Sequence, residues 1–244
     1  MPLPLKNLPQ KKSLKLDGLK LTRIGSNASI MSVKRDDERD IKVALVEYLL
    51  VESATRNILA SEAPYFFGKR RADLLDIGEH IHAYEIKGKY DRLDKLPDQI
   101  ASYIKSFDYL TIVTSRNHLD RITDIAPKKV GILEFHEGRF KKRRTSTRIK
   151  RKCKAALASV LSRSEVIAAL NENCPGLTQN KAALVNELRD IAASTLTESV
   201  LQAHFIDHYR SRYRESFKLF MSDKGRKVHV DDLRTLACEV YRLR

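Results

Sequence analysis

Between Arg70 and Lys87 the chain reads Arg-Arg-Ala-Asp-Leu-Leu-Asp-Ile-Gly-Glu-His-Ile-His-Ala-Tyr-Glu-Ile-Lys. Three side chains in it, Asp73, Glu85 and Lys87, have the types needed to hold a divalent cation beside a phosphate. The stretch has the pattern of a β-hairpin. Side chains alternate along a strand, so Arg71, Asp73, Leu75 and Ile77 share one face of the first arm, and Ile81, Ala83, Glu85 and Lys87 one face of the second. A three-residue loop of Gly78, Glu79 and His80 would pair Ile77 with Ile81, Leu75 with Ala83 and Asp73 with Glu85. Opposed residues have Cβ atoms about 4.5–5.5 Å apart, and like charges placed so destabilise the sheet. A cation offsets that repulsion. Mg²⁺ takes oxygen ligands at roughly 2.0–2.1 Å, commonly one or two carboxylates with water and phosphate oxygens.

An acid on one strand and Glu-x-Lys on the next resembles the PD-(D/E)XK nuclease superfamily. The flanking residues extend the likeness: Arg71-Ala72-Asp73, Tyr84-Glu85-Ile86-Lys87-Gly88, Asp91-Arg92-Leu93, Leu96-Pro97-Asp98-Gln99 with Tyr103, and Phe107-Asp108 before a strand. They are similar to a bacterial group within that superfamily, over roughly residues 36–140. Ala72 stands where the superfamily's name has Pro. The resemblance implies Mg²⁺, with Mn²⁺ as the alternative, held by Asp73, Glu85 and the carbonyl of Ile86. Lys87 would orient the attacking water and stabilise charge on the phosphate oxygens. Glu62, in Glu62-Ala63-Pro64-Tyr65, stands where the resembling group also carries an acid and is the expected third ligand. Glu52 is the helix-borne rival, read as the frayed end of its helix.

Elements that could position these groups are legible on both sides. Ile41, Ala44, Leu45, Tyr48 and Leu49 recur at helical spacing behind Asp36, Asp37 and Glu38, whose charge suits a helix N-terminus. Pro97 suits the first turn of a helix that carries Gln99 and Tyr103 one turn apart, on one face. Gln99 is as well explained by contact with phosphate or metal-bound water as by exposure; Tyr103 is expected to pack in the core. Tyr109–Thr114 and Val130–Phe135 are β-branched or apolar runs that predict buried strands, with a short helix from Arg116 between them. The resemblance implies a restriction-endonuclease-like α/β sandwich of three layers with a mixed sheet, and helices covering both faces of such a sheet satisfy layer packing.

The formal net charge of +15 points to a polyanionic partner, DNA first and RNA as the alternative. No apolar run is long enough to span a bilayer and no secretory leader opens the chain, so the expected place is the cytoplasm, with no membrane partner. Cys153, Cys174 and Cys238 have no metal-site or redox spacing and are expected to be buried free thiols. The absence of a glycine-rich phosphate loop, nucleophile elbow or dinucleotide fingerprint leaves ATP-driven and hydride chemistry without support. His204 and His208 stand one helical turn apart, but no third ligand accompanies them.

From Arg139 to Lys154 basic residues crowd together without an acid. Lys141, Lys142, Arg143, Arg144, Lys150, Arg151 and Lys152 are the candidate phosphate contacts, against a merely solvated linker. Beyond Ala155 the pattern is helical, and Asn173–Val185 faintly resembles a SAP-type DNA-binding hairpin. The organisation expected is a basic N-terminal arm over 1–33, a nuclease-like domain over 34–140, a basic linker over 141–154 and a helical domain over 155–244. The function expected is metal-dependent hydrolysis of phosphodiester bonds in DNA by an endonuclease. The alternative is a DNA-binding repair or defence accessory that keeps the nuclease fold without turnover.

Overall fold

The computed structural model describes residues 37–52, 57–150, 152–175 and 184–238. The expected basic arm, Arg151 and most of the SAP-like stretch lie outside the described residues. Those described all belong to one compact unit spanning 34–244.

The order is α1 (Glu38–Glu52), β1 (Ile58–Tyr65), β2 (Arg70–Ile77), β3 (Ile81–Lys87), α2 (Leu96–Ser106), β4 (Tyr109–Ser115), a 3-10 turn (Arg116–His118), α3 (Leu119–Ile125), β5 (Gly131–His136) and β6 (Arg139–Arg144). Among the described residues five helices follow: α4 (Lys154–Ala158), α5 (Arg163–Asn173), α6 (Val185–Thr195), α7 (Glu198–Asp223) and α8 (Asp232–Leu236). The six strands lie side by side in chain order. β1, β2 and β3 are antiparallel, β3, β4 and β5 parallel, and β6 returns antiparallel. The sheet is therefore mixed and the chain α/β.

Local chemistry sets the boundaries. Asp37 caps α1 by accepting the Asp40 N–H at 2.9 Å. Pro97 sits in the first turn of α2, where the missing N–H costs nothing. Ser162, rather than the neighbouring Ser164, caps α5 in a reciprocal capping box with Glu165. Glu137 and Gly138 both have positive φ, as a two-residue hairpin turn between right-twisted strands requires. At Gly78 a Cβ would lie 2.6 Å from the end of the Asn57 side chain, which would have to shift to admit it.

Each face of the sheet has its own apolar layer. Ile41, Leu45 and Leu49 of α1 pack on Leu74, Tyr84, Ile86, Val113 and Leu133, with Leu233 and Leu236 of α8 joining them. On the other face Leu75, Ala83, Ile112 and Ile132 meet Ile100 and Tyr103 of α2, Leu157 of α4, and Phe205 and Tyr209 of α7. The division of the sequence at 140 and 155 is thus one of sequence character: described parts of both segments share this second core. Residues 141–144, read as the start of the linker, belong to the edge strand β6. Its basic side chains hide the strand pattern, and lysine and arginine are what an exposed sheet edge carries to block further pairing. Among the cysteines only Cys238 is buried; Cys153 is exposed and Cys174 half-buried. The paired histidines have separate carboxylates: His208 meets Glu165 at 3.0 Å and His204 meets Glu172 at 3.6 Å.

One half-buried histidine couples the sheet to pH. His82 on β3 stacks on Tyr84 and shares a hydrogen bond with the Thr111 hydroxyl at 2.8 Å. Burial, then the nearby Lys142 charge, lowers its pKa from 6.5 to about 4. Between those two values the unfolded chain binds the proton that the folded chain refuses. Stability therefore falls as pH drops from about 6.5 to 4, by up to roughly 3 kcal/mol. Urea titrations across that range are expected to show this loss in the wild type and a smaller one in His82→Asn.

Candidate active site

The hairpin has the expected register: Ile77 pairs with Ile81 and Leu75 with Ala83 across the three-residue loop. Pairing stops at Leu74 and Tyr84, one step before Asp73 would face Glu85. There β2 and β3 part, and the Ile86 N–H donates to Asp73 Oδ2 at 2.7 Å. The carboxylate takes the place of a backbone acceptor and holds the gap open. On the other side of β2 the ladder skips Glu62, whose φ is +49° in the middle of a strand. A non-glycine residue in that region is costly, and such strain gathers where a side chain must be aimed. Ser61 ties the bend down by donating to the Asp73 carbonyl at 3.2 Å.

Glu38, Glu62 and Asp73 each bring a carboxylate oxygen to one place, all within 4.8 Å of one another. Opposite oxygens around an octahedral Mg²⁺ stand about 4.2 Å apart, so these three acids are a group that could hold a hard divalent ion. Asp73 lacks full compensation: burial first, then the Glu85 charge, raises its pKa well above the usual carboxylate range, against the pull of Lys42 and the Ile86 N–H. A further positive charge would relieve that.

Two lysines already serve the acids. Lys42, buried in the middle of the α1 stripe, lies 2.5 Å from Glu62 and 3.4 Å from Glu38. Burial lowers its pKa, but Asp73, Glu62 and Glu38 outweigh that and raise it overall. Lys87 donates to Glu85 Oε1 at 2.6 Å, and the same balance of burial against Glu85, Asp73 and Asp91 raises its pKa. Lys87 is therefore a cation, able to stabilise negative charge and unsuited to taking a proton. Glu85 Oε2 accepts from the Tyr103 hydroxyl at 2.6 Å. Behind Lys87 the backbone is fixed by Asp91, which accepts the Gly88 N–H at 2.7 Å.

Among the expected residues, Asp73 meets Glu62 in the oxygen cluster and the Ile86 N–H through its hydrogen bond, while Glu85 and Lys87 form their own ion pair, whose carboxylate and ammonium reach Asp73 only electrostatically. Both Glu85 oxygens are engaged by Lys87 and Tyr103, and the three-oxygen cluster does not include Glu85. Tyr103 packs in the core as expected and also orders Glu85. Gln99 shares its face of α2, half-buried. Glu52 is the exposed last residue of α1, away from Glu38. The sequence reading missed Glu38 and Lys42. Lys42 had a signal: it stands three and seven residues before Leu45 and Leu49, within the apolar stripe, where a lysine needs an acidic partner.

The candidate phosphate contacts divide. Arg143 pairs with buried Glu134, and Arg144 donates to the carbonyls of Val130 and Ala126. Lys152, almost fully buried, lies 3.0 Å from Asp108. These three hold the fold. Lys141, Lys142 and Lys150 are exposed.

Among the described residues no helix is long and apolar enough to cross a membrane. No solved structure matches the chain. Protein cII of Enterobacteria phage P4 is 27% identical to it over 213 residues, 82% of this chain and 77% of that protein. The family model described as Bacteriophage P4 protein cII matches residues 31–237, and the chain belongs to that family.

Proposed function

We propose that this protein is a divalent-metal-dependent phosphodiesterase acting on DNA, its fold a restriction-endonuclease-like sandwich. The observation that carries this is the parting of β2 and β3 at Asp73, which sets that acid beside Glu38 and Glu62 and within electrostatic reach of Glu85 and a charged Lys87. Asp73, Glu38 and Glu62 would hold Mg²⁺ or Mn²⁺, with Glu85 and the Ile86 carbonyl as the ligands suggested by the family resemblance. When bound, such an ion polarises a scissile phosphate and lowers the pKa of water. Lys87 neutralises charge growing on the phosphate oxygens. Glu85 and Tyr103 fix the direction of that ammonium.

The test is a panel of linear, circular, branched and single-stranded DNA with parallel RNA substrates, incubated with Mg²⁺, with Mn²⁺ and with chelator. Cleavage that needs the metal and stops with chelator is expected; no cleavage of any substrate overturns the reading.

Lys42 supports a second reading. Its ammonium already neutralises Glu62 and Glu38, as a protein that binds nucleic acid without turnover would require. The melting temperature separates the two: a shift with Mg²⁺ or Mn²⁺ favours the nuclease, and a shift with DNA but none with metal favours the binding module.

Under either reading the exposed lysines of the basic run touch phosphate. Lys141→Ala, Lys142→Ala and Lys150→Ala combined are expected to flatten the plot of log affinity against log salt by up to about 0.9 for each phosphate no longer neutralised. Fluorescence anisotropy at several salt concentrations, with chelator present, measures it. An unchanged slope would mark the run as solvated surface. Arg143→Ala is expected instead to lower stability, because it leaves the buried Glu134 carboxylate unpaired.

A further inference from the structure

At the end of α1 away from Glu38, a cavity of about 300 Å³ opens between that helix and the sheet. Tyr48 and Glu38 are ten residues apart, roughly 15 Å along the helix axis, so this is separate from the carboxylate site. We propose that the cavity binds a guanine nucleotide, either free or as an unpaired residue of a strand, with the base among Tyr48, Tyr84 and Asp76 and the phosphate at Lys142.

Size comes first: about 300 Å³ is at the lower end of what small-molecule sites enclose, and suits one nucleotide rather than a peptide or a sugar chain. The walls are aromatic. The rings of His82 and Tyr84 stack at 4.3 Å with 17° between their planes, and Tyr48 comes from the helix side. Flat π faces suit a planar heterocycle. An acceptor waits inside: Asp76 Oδ1 is buried and has no hydrogen-bond partner, while Asn57 supplies a hydrogen bond to the same carboxylate. A buried carboxylate oxygen without a donor is unfavourable, so the ligand that completes it carries N–H groups. Guanine presents a ring N–H and an amino group side by side, the arrangement a carboxylate accepts best.

The lining also carries cations. Lys142 is exposed at the rim, and the guanidinium of Arg144 lies beside it, held by backbone carbonyls. Positive charge at the mouth and an acceptor within suit a nucleotide and disfavour an amine. A Cβ at Gly131 would lie 2.5 Å from the Thr111 hydroxyl and 2.9 Å from the Ser146 nitrogen, so glycine there lets β5 pack closely against these two lining residues.

Calorimetry on the full chain, with chelator present, tests this with four probes: GMP, IMP, and a short single strand carrying one guanine or hypoxanthine. IMP lacks the amino group and is expected to bind about tenfold more weakly than GMP, or worse. Asp76→Asn is expected to erase the difference, and Lys142→Ala to weaken GMP and IMP alike by removing a phosphate contact. Binding of the guanine strand without binding of free GMP assigns the site to a strand, and the reverse to a free nucleotide. If Asp76→Asn does not fold, Tyr48→Leu takes its place and is expected to weaken both bases alike. Absence of binding by all four probes, equal binding of guanine and hypoxanthine, or indifference to the variants overturns the proposal.

Discussion

Asp73→Asn is expected to abolish metal-dependent cleavage while the protein stays folded and melts no lower than the wild type. The amide is nearly isosteric and its oxygen can still accept the Ile86 N–H that Asp73 Oδ2 accepts at 2.7 Å. It removes the buried charge that burial and Glu85 disfavour, and so relieves the repulsion behind the raised pKa of Asp73. Loss of activity with equal or higher stability marks a residue kept for function at a structural cost. Lys87→Ala is expected to slow the reaction by roughly 10²–10³-fold, the usual effect of removing one group that stabilises developing charge. Rates are measured on the best substrate of the panel, beside thermal melts and circular dichroism of each variant. Wild type and both variants cleaving equally fast would place any activity elsewhere in the chain.

The hairpin was legible because its information is local. A three-residue turn and a period of two fix the register, and the register fixes which side chains share a face. Ile77, Leu75 and their partners paired accordingly. The parting of the strands at Asp73 was not legible, because it depends on a carboxylate accepting an N–H from Ile86 and on the left-handed bend at Glu62. Neither leaves a mark in residue type. Glu38 looked like ordinary charge at a helix N-terminus; only the angle at which α1 crosses the sheet brings it to Asp73 and Glu62. Lys42 could have been found, since a lysine inside an apolar stripe asks for an acid.

The basic run was only partly legible, for a different reason. A count of charge cannot tell a guanidinium that faces solvent from one that holds a buried acid, and Arg143, Arg144 and Lys152 are committed to groups within the fold. The strand in that run was hidden as well. Only Phe140 interrupts the charges of β6, so the alternation that normally reveals a strand is missing.

Asp108→Ala is expected to cost about 3–5 kcal/mol, the range found when one partner of a buried ion pair is removed. Asp108 is fully buried between β3, the segment before α4, and α7. Its Oδ2 accepts the Ile81 N–H and the Gln202 amide, each at 3.0 Å. Its Oδ1 meets the Lys152 ammonium at 3.0 Å as an ion pair rather than as an aligned hydrogen bond. One carboxylate thus fastens the start of β3, the basic run and the longest helix together. Alanine leaves the buried Ile81 N–H and the half-buried Gln202 amide without this acceptor, and the Lys152 ammonium with the Ile149 carbonyl at 3.2 Å but no counter-charge at Asp108, and each of these costs free energy by itself. At roughly 2–4 °C per kcal/mol for a chain of this size, the melting temperature should fall by about 6–20 °C. Lys152→Met combined with Asp108→Ala removes the stranded charge and is expected to regain part of the loss, since buried ion pairs can be replaced by apolar groups at little cost. A double variant no more stable than Asp108→Ala would show that the backbone and amide hydrogen bonds, and not the ion pair, carry the effect.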